Sequence, residues 1–518
     1  MSKKVLCLTF VGLLSLAAIA GCAPSGRPVP GQATQQATRA QPVTLTLPGE
    51  DWGYPSPFSF YPRGPGYLRM SLIFDTLVWK DESRVIPWLA EDWRASEDGT
   101  RWTFTLRSGV HWHDGRDLTV DDVVFSYNYF RAHLLDFRWN VSLDKVDRAE
   151  AAGERTVVIV LSEPLGDFLP HLAGSLPIIP RHIWEAVEEP AKFSGPEAVV
   201  GSGPFKLLEY SKEEERYLYE ANLDHFAGRP VIDRLQYGKV GSAALALKTG
   251  AVDAASFSGK EIEAVNELMQ EGDLACIEGP SYWVLQLIFN PSRPPFDRRE
   301  ARLAVAHAVD RAKIVRQVTH GGAVVANLGI ISPDTAWHNP NLPSYAHDPL
   351  RAKALLEQAG LEGCQVTLLT TGDYAREAEL IKADLQAAGF GVEVRSVDRG
   401  TLDGLLGEGR FDLALNGHGG IANPATLKDP GWPATVYQNP DYGQLFVEQG
   451  RTLDEEKRRQ LVWRLQEMVA EDLPVLTLYH PRSWCVYNPA VLDTWFYTTG
   501  GISIGIPSEQ NKLVFLPE

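Results

Sequence analysis

Val366-Thr-Leu-Leu369, Val392-Glu-Val394 and Phe411-Asp-Leu-Ala-Leu415 are three short apolar runs with helical text between them. Residues 375–388 carry a helical repeat closed by Gly389, and a shorter helix is expected over 401–406. Asp348-Pro349 opens another helix that stops at Ala359-Gly360, where proline suits the first turn and glycine the end. Strands alternating with helices predict an α/β fold, with parallel strands joined by right-handed crossovers. Ligands of such sheets bind just beyond the carboxyl ends of the strands. The segment after Leu415, Asn416-Gly-His-Gly-Gly-Ile-Ala-Asn-Pro424, is therefore read as a glycine-rich ligand loop whose backbone lies open to close approach.

Upstream of this stretch, Asp297 is expected to cap a helix with Glu300 at its third position. Leu303, Ala306, Asp310 and Ile314 continue it at helical spacing. Val43–Leu47, Trp102–Leu106 and Thr156–Leu161 read as strands. Thr119 with Asp122 three residues on reads as a capping box before the apolar face of Val123, Val124 and Tyr127. No internal repeat is evident.

The chain has 518 residues, 44% hydrophobic and 22% charged, the composition of a soluble protein of two or three domains. Its N-terminus has Lys3 and Lys4, an apolar run from Val5 to Ala20, and Ile19-Ala20-Gly21-Cys22. The run is short for a bilayer span and reads as a secretory signal over residues 1–21. Its end resembles a bacterial lipobox, which implies a lipidated Cys22 as the mature N-terminus. Residues 22–42, rich in Pro, Ala, Thr and Gln, read as a flexible tether. This placement predicts an extracytoplasmic protein held to the membrane by its lipid alone.

The formal charge of −17 makes nucleic acid a poor partner. Beyond the targeting region the cysteines are Cys276, Cys364 and Cys485, too few and too scattered for a disulfide framework or a metal motif. One bridge among them stays open, with buried free thiols preferred. Gly501-Ile-Ser503-Ile-Gly505 matches a nucleophile elbow, but Pro507 opposes the helix that motif needs and no histidine follows it. His111 and His113 share one face of an expected strand without a third ligand nearby, so no metal is expected. Fourteen tryptophans and 17 tyrosines, several in Pro/Gly-rich segments, suit a cleft that grips a solute.

Pro87-Trp-Leu-Ala-Glu-Asp-Trp93, Asp98–Arg107, Gly109-Val-His-Trp-His-Asp-Gly115 and Leu118–Ser126 resemble the dipeptide/oligopeptide-binding family of ABC-importer receptors. Further matches are Gly201-Ser-Gly-Pro-Phe205, Gly250–Asp253, Phe289-Asn290, Pro295–Arg302, Ala308–Arg311, Ala352–Leu356 and Phe411-Asp412. The resemblance implies a bilobed type II periplasmic-binding-protein fold in its large three-domain form, with mixed sheets and a hinge. One lobe would combine a discontinuous domain, 43–82, 200–280 and 488–518, with an additional domain at 83–199. The other would span 281–487. Strand-like crossings near 280 and 488 would form the hinge, beside Tyr282, Trp283 and Trp484.

The same resemblance implies a non-enzymatic, cofactor-free monomer that closes on its ligand and docks on a membrane permease driven by separate ATPase subunits. Peptide-binding relatives meet the ligand ammonium with an acid in the loop after the Phe411-Asp412 strand. Here Asn416–Pro424 contains no Asp or Glu, which keeps a nickel chelate or an oligosaccharide open beside a peptide. Peptide remains the first expectation, and a secreted lipoprotein enzyme is the competing class. From loop position, the ligand-binding residues are expected to be Trp52, Phe257, Asn416, Gly417, His418, Gly420 and Tyr479.

Overall fold

The computed structural model describes residues 42–517 apart from 63, 138–141, 271, 281, 435–436 and 503–507. The signal segment, Cys22, nearly all of the tether, and Ser503 lie outside the described residues. Six strands form the sheet that the α/β text encodes, in the order Ala323–Val325, Val475–Pro481, Trp283–Phe289, Leu413–Gly419, Gln365–Thr370 and Gly391–Ser396. Gln365–Thr370 pairs in parallel with both Gly391–Ser396 and Leu413–Gly419. The other three pairings are antiparallel, so the sheet is mixed rather than parallel throughout.

The antiparallel strands have a different origin. Trp283–Phe289 and Val475–Pro481 enter from a second, three-stranded sheet ordered Ala254–Ser258, Ser483–Tyr487, Ala275–Gly279. The chain passes between the two sheets at 280–282 and again at Arg482, six residues before the position expected for the second crossing.

Apolar residues on Trp283–Phe289 face both ways because both faces are covered. Leu285, Leu287 and Phe289 join one core with Ala304, Leu356, Ile381 and Leu415. Val284 and Ile288 join another with Phe411, Val462 and Val469. A third and larger core draws on residues 45–254 and again on 485–516, including Trp79, Phe104, Tyr237, Trp495 and Phe515. Its two open sheets are Thr44–Pro48 with Arg234–Gly238, Arg216–Ala221 and Phe205–Ser211, and Ala90–Ala95 with Arg101–Leu106, Thr156–Leu161 and Val146–Ala151.

Several local expectations match. The Pro349–Ala359 helix has Asp348 accepting from the Arg351 N–H, and left-handed Gly360 ends it at φ 64°. Left-handed Gly389 closes Ala375–Ala388, and Thr119 and Asp122 form the capping box of Val120–Ala132. Others shift. The helix expected from Asp297 starts at Arg299, with Arg298 before it making no side-chain cap. It breaks at Val309, and Asp310 caps a second helix, Arg311–Val318, by accepting from Lys313 N–H. Neither His111 nor His113 lies on a strand: His111 forms an isolated bridge and an ion pair with Asp117, and His113 lies in a turn, bonded to the Gly203 carbonyl at 3.0 Å.

Candidate ligand-binding cleft

The segment read as a loop after Leu415 is mostly strand. Leu413–Gly419 stays paired with Trp283–Phe289 down to Trp283 opposite Gly419, so the turn begins only at Gly420. Antiparallel pairing with a crossing strand extends the pattern through residues whose glycines suggested otherwise. Close approach explains those glycines. A Cβ on Gly417 would lie 2.3 Å from Tyr374 Oη and 2.6 Å from Trp283 Nε1, and one on Gly419 would strike the Trp283 ring at 2.7 Å. The indole of Trp283 fills the space a side chain would need and is itself 43% exposed.

Five of the expected residues come together at this end of the sheet. Asn416, Gly417 and His418 are on the strand and Gly420 follows it. Leu285, on the strand between, pairs with both Gly417 and Tyr479. Trp52 lies in a loop elsewhere, its N–H donating to Tyr217 Oη at 2.8 Å. Phe257 is buried with Leu268, Trp484 and Val486 in a small core of its own.

The two faces of this strand end differ in chemistry. On one, Tyr479 Oη donates to Glu377 Oε1 at 2.9 Å, and Lys260 Nζ meets the same oxygen at 2.9 Å. Burial, then the Glu377 carboxylate, pushes the Tyr479 phenol well up. Glu377 is fully buried and its second oxygen has no partner among the described residues. On the other face, Arg399 donates to Asn416 Oδ1 at 2.6 Å, and Asn416 Nδ2 to the Trp432 carbonyl at 3.3 Å. The His418 ring lies 6.0 Å from that of the half-exposed Trp432.

Two imidazoles on this face have settled tautomers. His418 Nδ1 lies 3.0 Å from the Gly419 carbonyl, and His480 Nδ1 lies 3.1 Å from the Trp283 carbonyl. A carbonyl only accepts, so each Nδ1 carries the proton and each Nε2 presents a lone pair. Burial lowers the His418 pKa and takes His480 down to about 4, keeping both neutral at pH 7. Both Nε2 atoms are buried without a partner among the described residues. No group of three or more His, Cys, Asp or Glu among those residues is placed to hold a metal ion.

Beside the crossings opens a cavity of about 440 Å³. Glu278, Gly279, Pro280 and Arg482 line it from the crossing strands, Asp334 from the six-stranded side, and Glu82 with Trp495–Tyr497 from the N-terminal side. Glu278 and Arg482 form an ion pair across its floor. Tyr282 Oη donates to the Thr498 carbonyl at 2.8 Å and accepts from Gly500 N–H at 2.8 Å, fixing one wall.

Residues 84–428 match the profile of bacterial extracellular solute-binding proteins, family 5 (middle region). The chain belongs to that family. A dipeptide-binding protein of Escherichia coli K12 is 28% identical over 446 residues, covering 77% of this chain and 81% of that protein. The periplasmic binding protein DppA of Helicobacter pylori, solved with the peptide STSA, superposes with a TM-score of 0.72 at 23% identity, over 89% of this chain and 96% of that one. NikZ of Campylobacter jejuni, solved with Ni(L-His), gives 0.73 at 21% identity, over 92% and 99%. The α/β bilobed binding-protein fold with a hinge is thereby established, and the family consists of substrate-binding proteins rather than enzymes. No helix among the described residues is long and apolar enough to cross a membrane.

Sequence reasoning missed Glu377, Tyr374, Arg399, Lys260 and Asp334. Glu377 and Tyr374 follow the Gln365–Thr370 strand, so the carboxyl-end rule applied to that strand would have found them. Lys260 and Asp334 come from distant segments and carry no local signal.

Proposed function

We propose that this chain is the extracytoplasmic receptor of an ABC importer, capturing di- or oligopeptides between two lobes and delivering them to the membrane permease and its ATPases. Membership of the family supports a binding role, and the dipeptide-binding relative and the peptide-bound neighbour favour peptide. The observation that carries the reading is the family profile matched over residues 84–428. The cavity of about 440 Å³ beside the two crossings offers space for a small solute but is lined by none of the seven expected residues. The lobes would be 43–82, 200–280 and 483–518 with 83–199, against 283–481, the expected bound at 487 moving to the crossing at Arg482. Asn416, Gly417, His418, Gly420 and Tyr479 would form the ligand wall of the second lobe, while Trp52 and Phe257 lie apart from it.

Binding that favours the closed form is what would signal the permease. The mature protein would be a monomer lipidated at Cys22, and its tether of about 20 residues could reach roughly 65 Å at ~3.3 Å per residue. Native mass spectrometry of the purified protein, followed by a thermal-shift screen, tests the reading. A peptide at 100 times its Kd adds about 2.7 kcal/mol of stability. The two lone-pair imidazoles and the carboxylate-free 416–424 segment favour a nickel chelate as the second reading. A panel of free peptides giving no shift beside a positive nickel–histidine complex would replace the first by the second.

A further inference from the structure

Residues 283–481 connect covalently to the rest of the described chain only through the crossings at 280–282 and 482. A second meeting place is noncovalent. The turn Glu163–Asp167, after the Thr156–Leu161 strand, abuts the turn between helices Pro440–Arg451 and Glu455–Asp472, which pack on the six-stranded sheet. Gly166 N–H donates to the Gly450 carbonyl at 2.8 Å. Arg451 Nε donates to Glu163 Oε2 at 2.7 Å, while Lys145 holds the other carboxylate oxygen at 2.5 Å. Arg458 reaches to 3.9 Å from Asp167.

The fit is close enough to exclude a methyl group. A Cβ on Gly166 would sit 2.4 Å from the Thr452 carbonyl oxygen, and one on Gly99 would sit 2.3 Å from Leu453 Cδ1. Gly166 is outside the left-handed region, so its own backbone does not demand glycine. What demands it is the segment across the gap.

We propose that Glu163–Asp167 and Gly450–Arg458 form a clasp that exists only when the two halves are closed. The proposal rests on the reading of a receptor that closes about its crossings. Rotation about 280–282 and 482 must part these turns, since nothing covalent joins them there. The Lys260–Glu377 contact is a different case. Lys260 follows Gly259, whose N–H donates to the Arg482 carbonyl at 2.9 Å, so it sits at the pivot and moves little. Within the clasp, the Arg451–Glu163 pair is partly solvated, with Arg451 55% exposed, and contributes modestly. The steric fit at Gly166 carries most of the selectivity for the closed form.

Gly166→Ala adds a methyl that only the closed form rejects. Overpacking of this kind predicts a fall of about ten- to hundredfold in the closed population of ligand-free protein. Hydrogen–deuterium exchange at the residue 166 amide should accelerate by the same factor, and small-angle scattering should show a larger radius of gyration. Arg451→Ala should accelerate that exchange about threefold. Gly153→Ala, in the turn before the Thr156–Leu161 strand with room for its Cβ, should change neither readout. Unchanged exchange and size in Gly166→Ala overturn the clasp, and so does faster exchange without expansion, which is local fraying. Alanyl-phenylalanine and other free peptides that leave the wild type unchanged, beside an expanded Gly166→Ala, would remove the peptide reading and keep the clasp.

Discussion

Replacing Lys512 by Met removes one member of an ion pair that joins the end of the chain to its beginning. Lys512 Nζ lies 2.6 Å from Asp75 Oδ1, and both side chains are fully buried. The ammonium also sits 4.1 Å over the Trp79 ring and 5.1 Å over Trp88. With no solvent to screen the pair, removing one partner should cost about 3–5 kcal/mol, because Asp75 is left as a buried charge. Two donors remain to it, Trp88 Nε1 at 2.7 Å and Ser202 Oγ at 2.9 Å, which argues for the lower end, near 3 kcal/mol. Equilibrium urea unfolding followed by tryptophan fluorescence reads the loss. Asp75→Asn in the same background should recover part of it, since the stranded charge disappears.

The pair also sets an acid limit. Burial alone would raise the Asp75 carboxyl, but Lys512 and then His225 outweigh it and hold the pKa far below 3.8. A depressed carboxyl stabilises the fold fully above its ordinary pKa and loses that contribution as pH falls below it. The Lys512→Met variant should therefore show a flatter stability profile below pH 4 than the wild type. A loss under 1 kcal/mol, or identical acid profiles, would refute the reasoning.

Three further outcomes are expected. His418→Ala should weaken peptide binding about tenfold by calorimetry, by opening the contact with Trp432; unchanged affinity removes His418 from the site. Gly417→Ala should destabilise by about 1–3 kcal/mol, because its Cβ must displace Tyr374 and Trp283, and a melting temperature equal to wild type would contradict that placement. Cys22→Ala should move the protein from the membrane fraction to the soluble extracytoplasmic fraction, and retention at the membrane would reject the lipid anchor.

The family motifs turn out to be largely structural. Gly201-Ser-Gly holds glycines because Cβ atoms at 201 and 203 would strike the Ile73 carbonyl oxygen, at 2.0 and 2.6 Å, while Ser202 bonds Asp75. Asn290 of the Phe289-Asn290 pair donates to the Phe411 carbonyl at 2.9 Å, and Asp412 accepts from Thr367 N–H at 3.1 Å. Motifs of this kind identify the scaffold and leave the ligand open. Asn416–Gly420 was legible as a candidate from its position after a strand, although its conformation was not.

By itself the sequence determined what depends on near neighbours. The Asp348-Pro349 start, the left-handed stops at Gly360 and Gly389, and the Thr119–Asp122 box each follow from bonds within a few residues. Tertiary structure decided what depends on partners far along the chain. The strand runs on to Gly419 because Trp283–Phe289 pairs with it, the second crossing falls at Arg482, and Gly166 is glycine because Thr452 lies against it. Local propensity acts through backbone bonds within a turn or two. Pairing across a sheet and fit across a cleft act between residues that the sequence separates by hundreds of positions.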